Sequence, residues 1–485
     1  MPAVPELGLG EIVGSAQVSG QQFLQWLRTA DAPVPTRVRA ARRRIARADA
    51  RRRSGSISAF LDDTVRVGDS PAVQPHAFRS RGRSRIVALS TYPLSPRASG
   101  GQLRGFHLAH ALARRAGVDV TILSVSNQAT ARAVERHADG VVEYVFPLPG
   151  DLARRETAMR LVAAPVSLTD IASALMWEAI PELVWELGEQ LDGAAATLLV
   201  QPYLAAAALR IAPDIPLVCD AHNDEFALKS EIYPDDEGGH WLLRHIEATE
   251  RLAVESAATV TATTDHDLES LSRRYDVGGH TAVVPNGVDT ASVAFVTGAA
   301  RARRRLALGD AVDIPAGRAA ALFVGAGHRP NVDAGRAILA MAEQLPDVTF
   351  LLAGAHSRAL DRPRLPSNVV LLGVVSAERL DLLLTSCDLA LNPMATGSGS
   401  NLKLLMYLAA GLPIVSTDIG ARGVDADEAG IAIASLDRFP DAIVAALGRP
   451  DADRVAAGRR WVEQHGDWTA IGQRFAEIVV DRTLP

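Results

Sequence analysis

Short apolar runs rich in Val, Ile and Leu alternate with helical stretches along this chain, and the alternation occurs twice. Between Arg85 and Val125, "RIVALS", "GGQLRGFHLAHALARRAG" and "DVTILSV" read as strand, helix and strand. Such a unit pairs its strands in parallel through a right-handed crossover. Further strand candidates follow at "VVEYVF", "ATLLVQ", "PLVCD", "ATVTATT" and "TAVVPN", with "GHWLLRHIEATERLAVES" and "DHDLESLSRRY" as helices, and the pattern ends near "PNGVD" at 285–289. After an Arg-bearing connector it restarts at "AALFVG" and runs through "VTFLLAG", "NVVLLG", "LALNP" and "PIVST". The expected class is therefore α/β, with a doubly wound parallel-sheet domain at 84–290 and a second at 291–465. At roughly 100–200 residues per domain, a chain of 485 residues accommodates both. Parallel sheets hold ligands beyond the carboxyl ends of their strands, so two in tandem imply a ligand in the cleft between them.

Residues 1–83 have another character. Pro-rich joints such as "DAPVPT" adjoin the Arg-crowded "RVRAARRRIARADARRR", and the segment is expected to be a partly disordered extension. Its Arg37–Arg53 run is the one basic patch on a chain of formal charge −6, which excludes a general attraction to nucleic acid. The run lacks interleaved aromatics for nucleic-acid stacking, and docking on an anionic membrane surface is the alternative to a solvated arm. The two cysteines, Cys219 and Cys387, lack metal-type spacing and suggest no secreted disulfide framework. The start "MPAVPELGLGEIVG" lacks a basic and apolar leader, and "AAATLLVQPYLAAAALRIA" is broken by Gln201 and Pro202. The expected location is cytoplasmic, with peripheral membrane contact as an option.

The stretch "GSGSNLKLLMYLAAGLP" at 397–413 concentrates the chemistry. A Gly/Ser turn follows the strand "LALNP"; Ser398, Ser400 or Asn401 can cap the helix after it, and Gly411 and Pro413 end that helix. Unpaired N–H groups at such a terminus favour an anion, and Lys403 adds a full charge. A phosphate cradle and a simple tight turn with a solvated lysine are the two readings of this pattern. In "GAGHRPN" the sixth position of a dinucleotide fingerprint is Pro330, which weakens a nicotinamide reading. "TTDHDLESL" groups Asp265, His266 and Asp267, but Thr264 or Asp265 as N-cap with acidic residues in the first turn explains them without a metal.

The segment "GSGSNLKLLMYLAAGLPIVSTDIGARGV" resembles the donor site of retaining glycosyltransferases of the GT-B fold, family 4 type. "TYPLSPRASGGQLRGFHLAHALARRAGVDVTILS", "PLVCDAHNDE", "ATVTATTDHDLESLSRRY" with "VVPNGVD", "ALFVGAGHRPNVDA" and "VEQHGDWTAIGQRF" are similar to further segments of that family in the same order. The resemblance spans about 85–480 and implies two Rossmann-like domains facing across a cleft, with 466–485 returning as a terminal helix to the first domain. It implies transfer of a sugar from a nucleotide-diphosphate-sugar donor to an unknown acceptor with anomeric retention. No metal and no other cofactor is expected.

By the same resemblance, His222, Lys403 and Arg329 are the catalytic candidates. Gly327, His328, Asn331, Gly373, Val374, Gly397, Ser398, Gly399, Ser400, Asn401, Leu402 and Met406 would bind the donor. Gly100, Gly101, Gln102, Arg104 and Asn223 would lie on the acceptor side. Two departures from the family stand out. Its usual Arg after the first Gly of the "GAGHRPN" loop is Ala326 here, leaving His328 or Arg329 to substitute. Its donor-site Glu, which accepts from the ribose, is Met406, and the position eight residues earlier is Ser398. An active enzyme with altered ribose contacts, one with an altered donor, and a catalytically impaired partner subunit all fit that change.

Overall fold

The computed structural model describes residues 36–67, 84–95, 99–114, 118–138, 140–296, 298–312, 314–315, 317–327, 329–360, 364–396, 402–449 and 451–483. The first sheet comprises β1 (Ser84–Ser90), β2 (Val118–Ser126), β3 (Ala133–Ala138), β4 (Val141–Pro147), β5 (Ala196–Val200), β6 (Leu217–Ala221), β7 (Thr259–Ala262) and β8 (His280–Val283). Their order is β3-β4-β2-β1-β5-β6-β7-β8. The second sheet holds β9 (Ala319–Val324), β10 (Val348–Ala353), β11 (Val369–Gly373), β12 (Leu389–Asn392), β13 (Ile414–Ser416) and β14 (Ala432–Ile433), in the order β11-β10-β9-β12-β13-β14. Each order reverses beside its first strand, at β1/β5 and at β9/β12, and those switch points open crevices at the strand ends.

Alternation along each strand explains why both faces are covered. In β1, Val87 and Leu89 join one apolar layer while Ile86 and Ala88 join the opposite one. In β9, Ala320 and Leu322 face one layer and Ala321 and Phe323 the other. Strands buried on two faces read as continuous apolar runs, which is why the sequence exposes them so plainly. β3 departs from the expected all-parallel pattern. It pairs antiparallel with β4 on the sheet edge, and four of its six residues are exposed, so its sequence "AVERHA" carries no apolar run.

The domains are joined twice. Val288 N donates to Gly466 O at 2.8 Å and Trp468 N donates to Val288 O at 3.1 Å, so the outgoing linker and the returning chain lie side by side. The helix Trp468–Thr483 packs Trp468, Ile471, Phe475 and Val479 into the first domain's core, and Trp468 stacks on His107 at 4.9 Å between ring centroids.

The Arg-rich stretch is more ordered than expected. Thr36–Ser54 and Ile57–Val65 are helices whose Ala46, Ala50, Ile57 and Leu61 enter the first domain's core. Arg43 and Arg47 donate to the carbonyls of Ala163 and Val162 at 3.2 and 2.8 Å, where a helix ends and its dipole favours cations. Arg47 also pairs with Asp236, and Trp241 Nε1 donates to Asp62 Oδ1 at 2.7 Å. An alanine stripe and two internally used arginines replace the solvated arm over 36–65.

Candidate functional site

On the first domain the candidate site begins with β6, whose carboxyl end carries Asp220, His222 and Asn223. Asp220 is fully buried and takes a two-point ion pair from Arg104, with Nη2 at 2.6 Å and Nε at 2.8 Å. Thr261 Oγ1 donates to it at 2.7 Å, and His222 Nε2 lies 3.2 Å from its second oxygen. Burial alone would raise this carboxyl; the Arg104 guanidinium and His222 overcome that and hold it well below the usual carboxylate range. The other ring nitrogen of His222, Nδ1, lies 3.5 Å from the Tyr92 hydroxyl. The imidazole thus sits between a carboxylate and a phenol at a strand end, close to both, although its buried Nε2 makes no well-aligned hydrogen bond among the described residues.

Arg104, expected on the acceptor side, is a structural clamp. It is 1% exposed, and besides Asp220 it donates to the carbonyls of Val284 and Pro285 at 2.8 and 3.2 Å. It sits on the helix Gly100–Arg114, a turn inside the Gly-Gly start, and its side chain ties β6 to the chain just past β8.

Gly100 and Gly101 do stand at the meeting of the domains. A Cβ on Gly101 would lie 2.5 Å from the Tyr92 hydroxyl and 3.4 Å from His222 Nδ1, while one on Gly100 would lie 2.7 Å from Leu402 of the second domain. Only glycine lets the backbone fit between those groups. Gln102 is turned to its own loop, with Nε2 donating to Pro93 O at 2.8 Å and Oε1 accepting from Ser99 N at 3.0 Å. Asn223 Nδ2 donates to Glu225 Oε1 at 3.2 Å.

Across the cleft, the helix Leu402–Ala410 follows β12 and ends at Gly411, whose φ of +71° is the left-handed value foreseen for its cap. Lys403 in its first turn is largely buried. Its Nζ donates to Asn331 Oδ1 at 2.7 Å, approaches Met394 Sδ at 3.7 Å and lies 5.1 Å from the centre of the Phe323 ring. These partners come from the ends of β9 and β12 and from the helix Arg329–Ala342, the strands that flank the second switch point. None is an anion, and among the described residues no carboxylate pairs with Lys403. Burial lowers its pKa to about 8. A cation held this way is short of a counter-charge.

The remaining donor candidates divide. Asn331 touches Lys403, and a Cβ on Gly325 would crowd both Asn331 and His356. Arg329 is not gathered in: its side chain is 87% exposed and lies 3.6 Å from Asp333 one turn along. Gly373 accepts from Gly354 N at 2.6 Å, which brings the ends of β10 and β11 together, and the adjacent Val374 is exposed. Gly327 is exposed on its loop. Leu402 and Met406, one turn apart, are half-buried against the second domain's core. His328, Gly397, Ser398, Gly399, Ser400 and Asn401 lie outside the described residues.

Thr264 Oγ1 accepts from Asp267 N at 3.1 Å, so the "TTDHD" cluster is a helix cap. The described residues hold one His/carboxylate group at metal-ligand spacing, Glu135, His137 and Glu143 on the β3–β4 edge, remote in strand order from β6, where His137 Nε2 meets Glu143 Oε2 at 2.7 Å. No helix among them is long and apolar enough to cross a membrane.

Sequence reasoning missed Tyr92, Asp170 and Gln201. Asp170 accepts from Thr91 Oγ1 at 2.5 Å just past β1, and burial, the largest influence, raises its pKa. Gln201, immediately after β5, has φ 77° and ψ 161°, a region populated essentially by glycine and costing other residues about 1–3 kcal/mol. The "VQP" that interrupts an apolar run was the available signal.

Residues 99–287 match the family model described as glycosyl transferase 4-like domain, and residues 318–449 match that of glycosyl transferases group 1. A search of curated proteins returned no match. Among solved structures, the chain is similar to a sucrose-phosphate synthase from Thermosynechococcus elongatus, with TM-score 0.62 and 17% identity over 82% of this chain and 99% of that one. HepE from Anabaena, solved in complex with UDP, gives TM-score 0.55 and 17% identity over 82% and 100% of the two chains. An α,α-trehalose-phosphate synthase (UDP-forming) from Burkholderia vietnamiensis gives TM-score 0.55 and 15% identity over 82% and 99%. The chain is a two-domain glycosyltransferase of GT-B fold, with a glycosyltransferase 4-like domain followed by a group 1 domain.

Proposed function

We propose that this chain transfers a sugar from a nucleotide-diphosphate-sugar donor to a hydroxyl acceptor with retention of anomeric configuration, without a metal. The observation that carries the reading is Lys403, a largely buried ammonium at the start of a helix whose partners among the described residues are an amide, a thioether and a ring. Departure of a nucleoside diphosphate develops negative charge, and a cation fixed in a low-dielectric crevice stabilises that charge where it forms. The helix terminus adds its positive dipole end at the same place. Gly100, Gly101 and His222 face this terminus from the first domain, so donor and acceptor would meet between Lys403 and His222. In that geometry His222, oriented by Asp220 and Tyr92, is a hydrogen-bond partner for the transferred sugar, and a donor phosphate oxygen takes the acceptor proton on the same face. Arg329 keeps at most a peripheral part in holding the donor phosphates.

Transfer or donor hydrolysis by the purified chain, lost on Lys403→Ala, is the expected result. Absence of binding by any common nucleoside diphosphate up to millimolar concentration would remove this reading.

A second reading, a catalytically impaired partner subunit, draws on Met406, whose thioether packs on the domain core where the family has a ribose-binding Glu. Sugar transfer by the chain alone would end it. We also propose a cytoplasmic location, with any contact with anionic membrane made through the outer side of the helix Thr36–Ser54. Arg44, Arg51, Arg52 and Arg53 are exposed there beside Ile45, although Arg51 is drawn to Glu237 and Arg52 and Arg53 to Asp49.

A further inference from the structure

Among the described residues, Gln201 is the one non-glycine with a positive φ. It lies at the carboxyl end of β5, between β1 and β6, at the first domain's switch point, and its N–H donates to Asp220 O at 3.3 Å. Its side-chain oxygen Oε1 is buried and has no hydrogen-bond partner among those residues. The turn that follows is held rigidly. Pro202 fixes its own φ and disfavours helical geometry at residue 201, and the buried Tyr203 hydroxyl donates to Glu225 Oε2 at 2.6 Å.

A purely structural role would be filled better by glycine, which adopts this backbone freely and buries no amide. A strained backbone and an unmet acceptor atom occur together at one residue, beside the Asp220–His222 pair. That combination is relieved when a ligand supplies a donor group.

We propose that the Gln201 side-chain amide binds the acceptor, accepting a hydrogen bond from an uncharged hydroxyl of a sugar or polyol held over the ends of β1, β5 and β6. The inference rests on the glycosyltransferase reading above and names the acceptor's chemical class. The class follows from the surrounding charges. Arg104 is consumed by Asp220, and Lys229 lies 3.7 Å from Glu225. Asp170 remains on the β1 side with Thr91 as its hydrogen-bond donor. Burial pushes the Tyr92 hydroxyl well above its ordinary pKa, and the carboxylates of Asp170, Glu225 and Asp220 add to that push against the opposing Arg104. A phosphate or carboxylate on the acceptor would meet this negative field, whereas hydroxyl groups donate into it.

The test titrates the full chain with UDP, and then titrates glucose, maltose and glucose 6-phosphate into it with and without saturating UDP. Wild type is expected to bind at least one neutral sugar more tightly than glucose 6-phosphate. Gln201→Gly and Gln201→Met both remove the amide, but only the first relaxes the backbone. Both are expected to lose about tenfold or more in neutral-sugar affinity and to keep UDP affinity within about twofold, with Gln201→Gly melting at or above wild type. Undiminished sugar binding in Gln201→Met, loss confined to Gln201→Gly, tighter binding of glucose 6-phosphate, or no neutral-sugar binding by a UDP-binding wild type would each overturn the inference. Failure of wild type to bind UDP counts instead against the donor reading, and the sugar titrations without UDP still decide the role of Gln201.

Discussion

The two sides of the cleft handle buried charge in opposite ways. On the first domain, Asp220 is matched by Arg104, Thr261 and His222, so its charge is answered within the fold. On the second, Lys403 is largely buried with no carboxylate paired to it among the described residues, and burial lowers its pKa to about 8. A completed pair holds a site in shape, while an incomplete one spends stability to wait for a ligand's charge. The first arrangement is therefore scaffold around His222, and the second is where the proposed reading puts the anionic donor.

The largest effect should come from breaking the completed side. Asp220→Ala leaves Arg104 charged and unpaired in the interior and is expected to destabilise the chain by about 3–5 kcal/mol, read from urea denaturation. Lys403→Met should do the reverse. Removing an uncompensated cation is expected to stabilise the apoprotein by about 1–3 kcal/mol while weakening UDP binding about a hundredfold by calorimetry. If Lys403 were a structural anchor, that variant would lose stability instead.

Smaller effects sharpen the same contrast. Met406→Glu restores a ribose acceptor and is expected to tighten UDP binding by up to about a hundredfold. Unchanged affinity would place residue 406 away from the ribose. Arg329→Ala should shift stability by no more than about 0.5 kcal/mol and UDP affinity by less than about threefold, because its guanidinium is solvent-exposed.

The strands with two buried faces were legible because apolar runs such as "ATLLVQ" and "VTFLLA" allow little else. β3 was not, since an exposed edge strand needs no apolar run, and β14 is only two residues long. The helix Thr36–Ser54 was hidden for a related reason. Alanines make its buried stripe, and a periodicity written in alanine is faint beside so many arginines. In the site, Lys403 and His222 were marked by motif. Arg104 misled because its spacing from the Gly-Gly turn says nothing of the buried Asp220 it meets, 116 positions along the chain. Gln201 was marked only by the break it makes in an apolar run, because the backbone strain and unmet amide that single it out arise from tertiary packing.

The account turns on the claim that a nucleoside diphosphate supplies the charge Lys403 lacks, and proton linkage measures that directly. An unfolded lysine keeps its proton to about pH 10.4, whereas native Lys403 releases it near 8. As pH rises through this window the apoprotein therefore gains stability and the site loses its charge. A bound diphosphate reverses the shift by holding the lysine protonated. Calorimetric titration of UDP at pH 8.5 in two buffers of different ionisation heat should show net proton uptake by wild type, absent in Lys403→Met. UDP binding without uptake, or uptake unchanged in Lys403→Met, would contradict it.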